Sequence, residues 1–308
     1  MILCCGEALI DMLPRRATSG EDSFAPHAGG AVFNTAIALG RLGAPAGLLS
    51  GISRDLFGEV LIAALDASNV STAQCIRSDR PTTLAFVRLA NGQASYAFYD
   101  ENTAGRMIGE GDLPALAPEV TAMFFGGISL VSEPGGSTYE TLMHRAAASG
   151  RVTMIDPNVR PSLIGDEAAY RARIARMIGV ADIVKLSDED LGWLEGGSDI
   201  AAGAAAVRAR GPKAVFVTEG AKGAHGFSGD RAVFVPSLPV AVVDTVGAGD
   251  TFNAGVLAAL QAAGALDRAV LGDLGEDMLA AALSLGNRAA AVTVSRAGAN
   301  PPWASELG

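Results

Sequence analysis

Glycines and two aspartates share the segment 244–255, in a spacing that suits chemistry on a phosphate group. The segment reads Asp-Thr-Val-Gly-Ala-Gly-Asp-Thr-Phe-Asn-Ala-Gly. The apolar run Val240–Val243 before it predicts a strand, and the apolar spacing after it predicts a helix from about Gly249 to Ala263. The first amide groups of a helix have no intrahelical partner and point at whatever lies above the helix start. The sequence therefore predicts an anion site at this glycine turn.

Asp250 stands where this predicted helix begins, and two roles are open to it. Asp at a strand-to-helix turn commonly caps the helix. A carboxylate beside an anion site repels phosphate, but it can accept the proton of a hydroxyl group that attacks the phosphorus. Asp244, at the end of the predicted strand, could orient a cation or the substrate.

A second polar group follows the N-terminal apolar run Met1–Ile10, which predicts a first strand. Asp11 comes directly after that run, and Gly29-Gly30 precedes a predicted helix over Ala31–Leu42. Asn34 lies one turn into the helix. A carboxylate that accepts hydrogen bonds and an amide that both donates and accepts suit the recognition of several sugar hydroxyls.

Two further clusters follow predicted strands. Asp156-Pro157-Asn158-Val159-Arg160 comes after the run Val152–Ile155, and Arg160 could stabilise negative charge on a phosphoryl group. An ordinary strand-exit loop explains the same residues equally well. In the stretch Lys185-Leu186-Ser187-Asp188-Glu189-Asp190, Ser187 could cap a helix, and the acids could bind hydrated Mg²⁺.

Composition narrows the class of protein. The chain has 308 residues, is 49% hydrophobic and carries a formal net charge of −10, which favours a folded domain and argues against nucleic acid or an anionic membrane as partners. It contains no apolar run of transmembrane length and no positively charged leader, so we expect a cytoplasmic protein. Its three cysteines and three histidines lack metal-ligand spacing.

The order of elements predicts an α/β fold. After residue 100, short β-rich runs alternate with amphipathic helical stretches, which is typical of a mostly parallel sheet with helices on both faces. Two segments break this alternation. Pro14–His27 is polar and loop-like, and Thr82–Tyr99 alternates with a period of two around Asn91-Gly92, a hairpin turn sequence. We expect these segments to form a small antiparallel flap, although two surface loops would also fit.

These residues resemble the ribokinase-like (PfkB) carbohydrate kinases, and within that family the fructokinases. The resemblance covers nearly the whole chain. It is carried by Gly29-Gly30-Ala31-Val32-Phe33-Asn34 through Gly51-x-x-x-Asp55-x-x-Gly58, and by Asp244-Thr245-Val246-Gly247-Ala248-Gly249-Asp250-Thr251-Phe252. The stretches Gly6–Asp11 and Asp156–Arg160 favour fructokinase over ribokinase or adenosine kinase. Neither a Walker A sequence nor a dinucleotide fingerprint occurs in the chain.

The resemblance implies one ribokinase-like three-layer α/β domain over residues 1–308, with a small β lid formed by about 12–28 and 82–105. It implies an ATP-dependent sugar kinase, with D-fructose converted to fructose 6-phosphate as the expected reaction. It also implies Mg²⁺, K⁺ in many members, and a homodimer formed through the lids.

The resemblance further assigns roles to individual residues. Asp250 would be the catalytic base, with the backbone of Gly247, Ala248 and Gly249 as anion hole and Arg160 on the sugar or the phosphates. The sugar would meet Asp11, Gly29, Gly30, Asn34, Phe98 and Asp250. The nucleotide would meet Lys185, Thr218, Gly220, Gly223, Gly247, Gly249 and Asn287. Asp190, Glu189 and Asp244 would be the metal residues, with Asp190 standing where the family has Glu.

Other readings stay open. The acceptor could be 2-keto-3-deoxygluconate, ribose or a nucleoside. A sugar- or nucleotide-sensing module on a kinase fold is a non-enzymatic alternative, because a fold does not fix function. A dinucleotide-dependent oxidoreductase is a third reading, which the missing fingerprint disfavours.

Overall fold

A computed structural model describes residues 1–90 and 93–308, and it describes side chains outside 88–96. The Asn91-Gly92 turn therefore lies outside the described residues. The strands are β1 Ile2–Cys5, β2 Leu9–Arg16, β3 Asp22–Gly29, β4 Ala46–Leu49, β5 Gly51–Ser53, β6 Val70–Ser71, β7 Ile76–Ser78, β8 Leu84–Ala90, β9 Gln93–Tyr99, β10 Ala122–Gly126, β11 Val152–Asp156, β12 Ile183–Ser187, β13 Ala214–Thr218, β14 Gly223–Ser228 and β15 Arg231–Pro236. The α-helices are α1 Ala31–Arg41, α2 Leu56–Ala67, α3 Gly135–Ala148, α4 Glu167–Val180, α5 Asp188–Glu195, α6 Ile200–Arg208, α7 Ala248–Ala262 and α8 Glu276–Val294.

The central sheet has nine strands in the order β15-β14-β13-β12-β11-β10-β1-β4-β6. Its pairs are parallel except at one edge, where β14 runs antiparallel to both β13 and β15. Parallel strands joined through helices bring their carboxyl ends to one edge, where such sheets bind ligands.

Side chains of the central strands divide between two cores. In β1, Cys4 packs with α1, α2, α7 and α8, whereas Leu3 and Cys5 pack with α3, α4, α5 and α6. The same alternation holds in β11, where Met154 and Ile155 belong to opposite cores. Because neighbouring side chains of a strand point to opposite faces, this division defines three layers, helices–sheet–helices. The predicted α/β sandwich is confirmed.

A second sheet contains four strands in the order β3-β2-β8-β9. The pairs β2–β3 and β8–β9 are antiparallel, and β2 pairs with β8 in parallel. We call it the small sheet. The two segments 14–27 and 82–99 thus do come together, but Pro14–His27 is not loop-like, because most of it belongs to β2 and β3. Its polar residues suit strands of which the outer face is exposed.

Two predicted strands are wrong. The run Met1–Ile10 is two strands, β1 and β2, which belong to different sheets. Asp11 therefore lies inside β2 instead of after a strand. Val240–Val243 is not a strand. Val242 and Val243 are each 63% exposed, and the amide of Val243 donates to the carbonyl of Val294 at the end of α8. An apolar run alone does not distinguish a buried strand from an exposed apolar loop.

Within the part of the chain that the structure describes, no helix is both long enough and apolar enough to cross a membrane.

Candidate active site

A cleft of about 700 Å³ opens at the carboxyl edge of the central sheet, between that edge and the small sheet. It collects several predicted site residues that lie far apart in the sequence. Those that line it are Asp11, Gly30, Asn34, Phe98, Arg160, Lys185, Gly247, Ala248, Gly249 and Asp250.

Asp250 lies in the first turn of α7 and is 8% exposed. The Asn34 amide nitrogen donates to its carboxylate at 2.9 Å, and the Thr35 hydroxyl donates to its backbone carbonyl at 3.2 Å. Asn34 and Thr35 belong to α1, so that helix fixes both the side chain and the backbone of Asp250. The carboxylate does not cap α7. The N-cap residue is Gly247, which has no side chain to cap the helix.

The environment of Asp250 makes its carboxylate a better base. Burial raises its pKa to about 7, and the nearby charges of Asp156 and Glu7 act in the same direction. The hydrogen bond from Asn34 and the charge of Lys185 oppose this rise. A carboxylate with a pKa near neutrality can both hold and take a proton at the pH of a cell, which is the property that general base catalysis needs.

The start of α7 is open toward the cleft. Gly247 begins the helix at φ +79°, a conformation that glycine adopts readily, and no side chain caps the helix. In contrast, side chains cap α2, α4, α5 and α6. The capping residues are Asp55, Asp166, Ser187 and Asp199. The amide of Ala248 donates to the Thr245 carbonyl at 3.3 Å, and the amides of Gly249 and Asp250 at the same helix start are available to an anion.

The start of α1 is filled by Glu7, which sequence reasoning did not assign. Gly30, at φ +108°, precedes the helix, and the amide of Ala31 donates to Glu7 Oε1 at 2.9 Å. The amide of Ser129 donates to Glu7 Oε2 at 3.2 Å. Burial raises the pKa of Glu7 despite these bonds. A glutamate between two apolar stretches was the available signal, but its partners are 24 and 122 residues away.

The predicted sugar residues surround this end of the cleft. Burial raises the pKa of Asp11 to about 6, and its strand β2 pairs with β3, of which Gly29 is the last residue. Gly30 and Phe98 line the cleft with Asp11. Carboxylate, amide and aromatic surfaces therefore face the same space, as recognition of a polyhydroxylated ligand requires.

Two cations line the cleft among the described residues, and they differ in burial. Lys185 is 4% exposed and its ammonium lies 3.0 Å from the Asp156 carboxylate. Arg160 is exposed and its guanidinium donates to the carbonyls of its own loop, at Asn158 and Val159. Lys185 is thus held by a buried carboxylate, whereas Arg160 is held only by carbonyls of its own loop.

Four residues that the resemblance places on the nucleotide lie outside the set that lines this cleft. Thr218 ends β13, and Gly220 and Gly223 flank the short turn that leads into β14. The Asn287 amide donates to the carbonyls of Val235 and Pro236, which joins α8 to the end of β15. Their contact with a nucleotide stays a prediction.

The three predicted metal residues do not form a ready-made site. Both carboxylate oxygens of Asp190 accept backbone amides, those of Val159 and Ser187, and both of Asp244 accept the amides of Val246 and Gly298. Glu189 is exposed. In residues 1–90 and 93–308, no three His, Cys, Asp or Glu side chains group as metal ligands. These carboxylates therefore do not fit a cation held by protein alone.

Comparisons with known proteins identify the family of this chain. The model of the pfkB family carbohydrate kinases matches residues 1–306. A fructokinase from Rhizobium leguminosarum bv. trifolii is 56% identical over 279 residues, which cover 91% of this chain and 85% of the relative. Fructokinase-2 from Oryza sativa subsp. japonica is 32% identical over 308 residues, or 98% of this chain and 90% of the relative.

A solved structure shares the fold. The crystal structure of a fructokinase with bound ATP from Xylella fastidiosa superposes with a TM-score of 0.90 at 29% identity, covering 99% of this chain and 96% of that one. The likeness extends across both sheets, since nearly the whole of each chain is covered. With its fold, its cleft and the family match in agreement, this chain belongs to the pfkB family of carbohydrate kinases, which transfer a phosphoryl group to a hydroxyl acceptor.

Proposed function

We propose that the protein transfers the γ-phosphate of ATP to O6 of D-fructose and forms fructose 6-phosphate. The observation that carries the proposal is the Asp250 carboxylate, buried beside the open start of α7 and facing a cleft with Asp11 and Asn34. The fructokinases to which the chain is similar support fructose as the acceptor.

Asp250 is the base in this proposal. Its carboxylate takes the proton of the primary hydroxyl while the hydroxyl oxygen forms a bond to the γ-phosphorus. The bond between that phosphorus and the β,γ-bridging oxygen breaks, and ADP leaves. Asn34 orients the carboxylate through its 2.9 Å hydrogen bond, and Asp11 accepts a hydrogen bond from a second sugar hydroxyl.

The phosphate side of the cleft stabilises the charge of the transferred group. Backbone amides of Gly247, Ala248 and Gly249 donate to its oxygens, that of Ala248 in place of its 3.3 Å bond to the Thr245 carbonyl, and Lys185 adds a positive charge. Mg²⁺ bound to ATP would neutralise part of the phosphate charge, since this ion usually keeps several waters and takes few protein carboxylates. Arg160 joins the phosphates or the sugar after leaving its own loop.

We assign the remaining predicted roles to the same single domain, residues 1–308. The lid that excludes water from the reaction is formed by about 12–28 and 82–105, which contain most of the small sheet. Phe98 is its contact with the sugar. Thr218, Gly220, Gly223 and Asn287 contact the nucleotide. A divalent cation near Asp190 or Glu189, K⁺ near Asp244 and a cytoplasmic location remain predictions.

We also propose a homodimer through the small sheet. Phe24 and Phe86 pack edge to face at 5.0 Å between ring centroids, and Phe86 and Tyr99 do so at 5.4 Å. Phe24 is 46% exposed and Tyr99 62% exposed, so this aromatic row presents apolar surface to solvent. Sedimentation of Phe24→Ser/Tyr99→Ser should show a lighter particle than wild type. An unchanged mass would contradict the interface.

The test of the function is an acceptor panel. Wild-type protein is incubated with ATP, Mg²⁺ and K⁺ and with D-fructose, 2-keto-3-deoxygluconate, ribose or adenosine, and kcat/KM and the product position are measured. The proposal expects D-fructose to give the highest kcat/KM and fructose 6-phosphate to form. A higher kcat/KM for another acceptor would replace fructose as the proposed substrate but leave the kinase activity as proposed.

Two outcomes would point away from a kinase of these acceptors. Binding of ATP and sugar with no product would favour a sensing module. A change in nicotinamide absorbance with the same acceptors would favour an oxidoreductase.

A further inference from the structure

Asp156 is the centre of a buried cluster that spans three elements. It ends β11 and is 2% exposed. Its Oδ2 accepts from the Lys185 ammonium of β12 at 3.0 Å and from the Asn253 amide of α7 at 2.7 Å. Its Oδ1 accepts from the backbone amide of Asn158 at 3.2 Å. Three groups, on a strand, a helix and a loop, therefore depend on one carboxylate.

The sheet explains why this carboxylate and the ammonium meet. Strands β11 and β12 are parallel neighbours in which Met154 pairs with Ile183. Two residues further along each strand, Asp156 and Lys185 return to the same face, which α7 covers. Both lie at the carboxyl edge and line the cleft.

The cluster aims Lys185 at the start of α7. The ammonium lies 3.2 Å from the position that a Cβ would take on Gly249, which is in the first turn. It thus adds a full positive charge where the uncapped amides already favour an anion. Asn253, one turn further along α7, keeps its amide on Asp156, while its Oδ1 is buried without a hydrogen-bond partner. The orientation of Asn253 that holds Asp156 from the side of α7 thus leaves the Asn253 oxygen unpaired.

We infer that Asp156 is a positioning residue, which holds the Lys185 ammonium beneath the start of α7 so that it meets the phosphoryl group in transfer. The inference rests on the proposed function, because it deepens the phosphate side of the same site. In this inference Asp156, which is only 2% exposed, contacts neither sugar nor phosphate. It acts through Lys185, and Asn253 acts through Asp156.

The charges of this cluster also reach the base. Five groups from four elements face Asp156: Asp250 and Asn253 of α7, Lys185 of β12, Asp190 of α5 and Tyr170 of α4. Two further charges lie around them, since Glu7 acts on Asp250 and Tyr170, and Arg160 acts on Tyr170. Within this group, the charge of Asp156 raises the pKa of Asp250 and the charge of Lys185 lowers it. Removing the two charges singly should therefore move the titration of Asp250 in opposite directions.

The experiment uses Asp156→Asn, Lys185→Met and the double variant in the full chain, with wild type measured first. We expect Lys185→Met to lower kcat about 10- to 100-fold, the effect of one charge-assisted hydrogen bond in the transition state. Asp156→Asn should lower kcat about tenfold. The double variant should be no slower than Lys185→Met, because residues that act as a unit are not additive. A double variant in which kcat falls by the product of the two single-variant factors would overturn the inference.

The pH profile separates positioning from simple loss of stability. The acid limb of kcat/KM should move to lower pH in Asp156→Asn and to higher pH in Lys185→Met. The matched control is Asp182→Asn, because Asp182 is also buried and paired with cations, Arg268 and Lys213, but does not line the cleft. Asp182→Asn should lose stability, but the acid limb of its kcat/KM profile should stay at the pH of wild type. Limbs that stay unmoved in both cleft variants would contradict the inference.

A second readout works without turnover. The carboxyl ¹³C resonance of Asp250, assigned by its loss in Asp250→Asn, reports the same titration directly, and it should show the same opposite shifts. Wild-type protein that fails to phosphorylate D-fructose while these shifts occur would reject the proposed acceptor and keep the arrangement around Asp156. Turnover of fructose without the shifts would reject the arrangement and keep the function.

Discussion

Helices α1 and α7 both begin at a glycine with positive φ, both lack a side-chain cap on the N-cap residue, and both point their first turns into the same cleft. They differ in what meets their first amides. The buried Glu7 carboxylate accepts from the start of α1, whereas no side chain caps α7. The protein thus fills one helix start with its own anion and leaves the other to a ligand.

This difference divides the cleft into two ends. At α1 the positive helix start is already neutralised, so the groups that remain, Asp11 and Asn34, suit an uncharged sugar. At α7 the helix start keeps its positive potential and Lys185 adds to it, which suits a phosphate. Asp250 belongs to α7 but is oriented by Asn34 of α1, so the proposed base stands where the two ends meet.

The largest expected effect is on the base between the two ends. Asp250→Asn keeps a side chain that can accept from Asn34 but removes the proton acceptor, so kcat should fall about 10²- to 10⁴-fold. Steady-state kinetics with D-fructose and ATP measure the change. A kcat within a factor of about two of wild type would exclude Asp250 as the base.

The next effect concerns the filled helix start. Glu7→Gln replaces a charge-assisted contact to Ala31 and places an amide group near the Ser129 amide, so the sugar end should loosen. We expect KM for fructose to rise roughly tenfold, with KM for ATP little changed, since a loss of about 1.4 kcal/mol corresponds to that factor.

The matched control is Asp199→Ala, which removes a carboxylate from the start of α6, away from the cleft. It should cost about 1 kcal/mol of stability and leave both KM values unchanged. A rise in KM for ATP equal to that for fructose in Glu7→Gln would contradict the division of the cleft.

A smaller effect is expected at the open helix start. Gly249→Ala places a methyl group 3.2 Å from the Lys185 ammonium, which must then move. We expect kcat to fall by about three- to tenfold, as partial loss of one donor would give. Gly179→Ala in α4 is the control, because its added methyl meets an ordinary contact at 3.8 Å. The control should keep kcat and gain up to about 1 kcal/mol of stability.

The smallest effect is on stability. Because burial raises the pKa of Asp250 to about 7, the folded chain holds a proton that the unfolded chain, with an ordinary pKa of 3.8, loses earlier. Stability therefore falls as the pH rises from about 4 to about 7. Asp250→Asn removes this penalty, so the free energy of unfolding should increase relative to wild type above pH 7, and by less at pH 5. Urea unfolding at pH 5 and pH 8 tests this, and an increase confined to pH 5 would contradict it.

The sequence predicted this site better where the information is local. Gly247 to Asp250 mark a turn and a helix start by their own spacing, and α7 begins one residue from the predicted Gly249. Strands β8 and β9 of the small sheet were also predictable, because period-two alternation is a local pattern, whereas most of Pro14–His27 is strand although its sequence is loop-like. The run Val240–Val243 failed because burial depends on what packs against a segment, and here the valines are exposed.

Long-range contacts were not readable from the residues alone. Asn34 and Asp250 are 216 residues apart, and Asp156 and Asn253 are 97 apart. The residue types alone do not indicate which of these side chains meet, because only the order of the strands brings them to one edge of the sheet. The role of Glu7 was missed for the same reason, since a glutamate after a strand gives no indication that it fills a helix start.

The pH dependence of kcat/KM for D-fructose in wild-type protein tests the role of Asp250 as the base, because it reports the titration of the base in the free enzyme. We expect an acid limb with an apparent pKa of about 7, since burial raises the pKa of Asp250 to that value. A kcat/KM that stays constant from pH 5 to pH 8 would show that no buried carboxylate of this kind limits the reaction, and would contradict the role of Asp250.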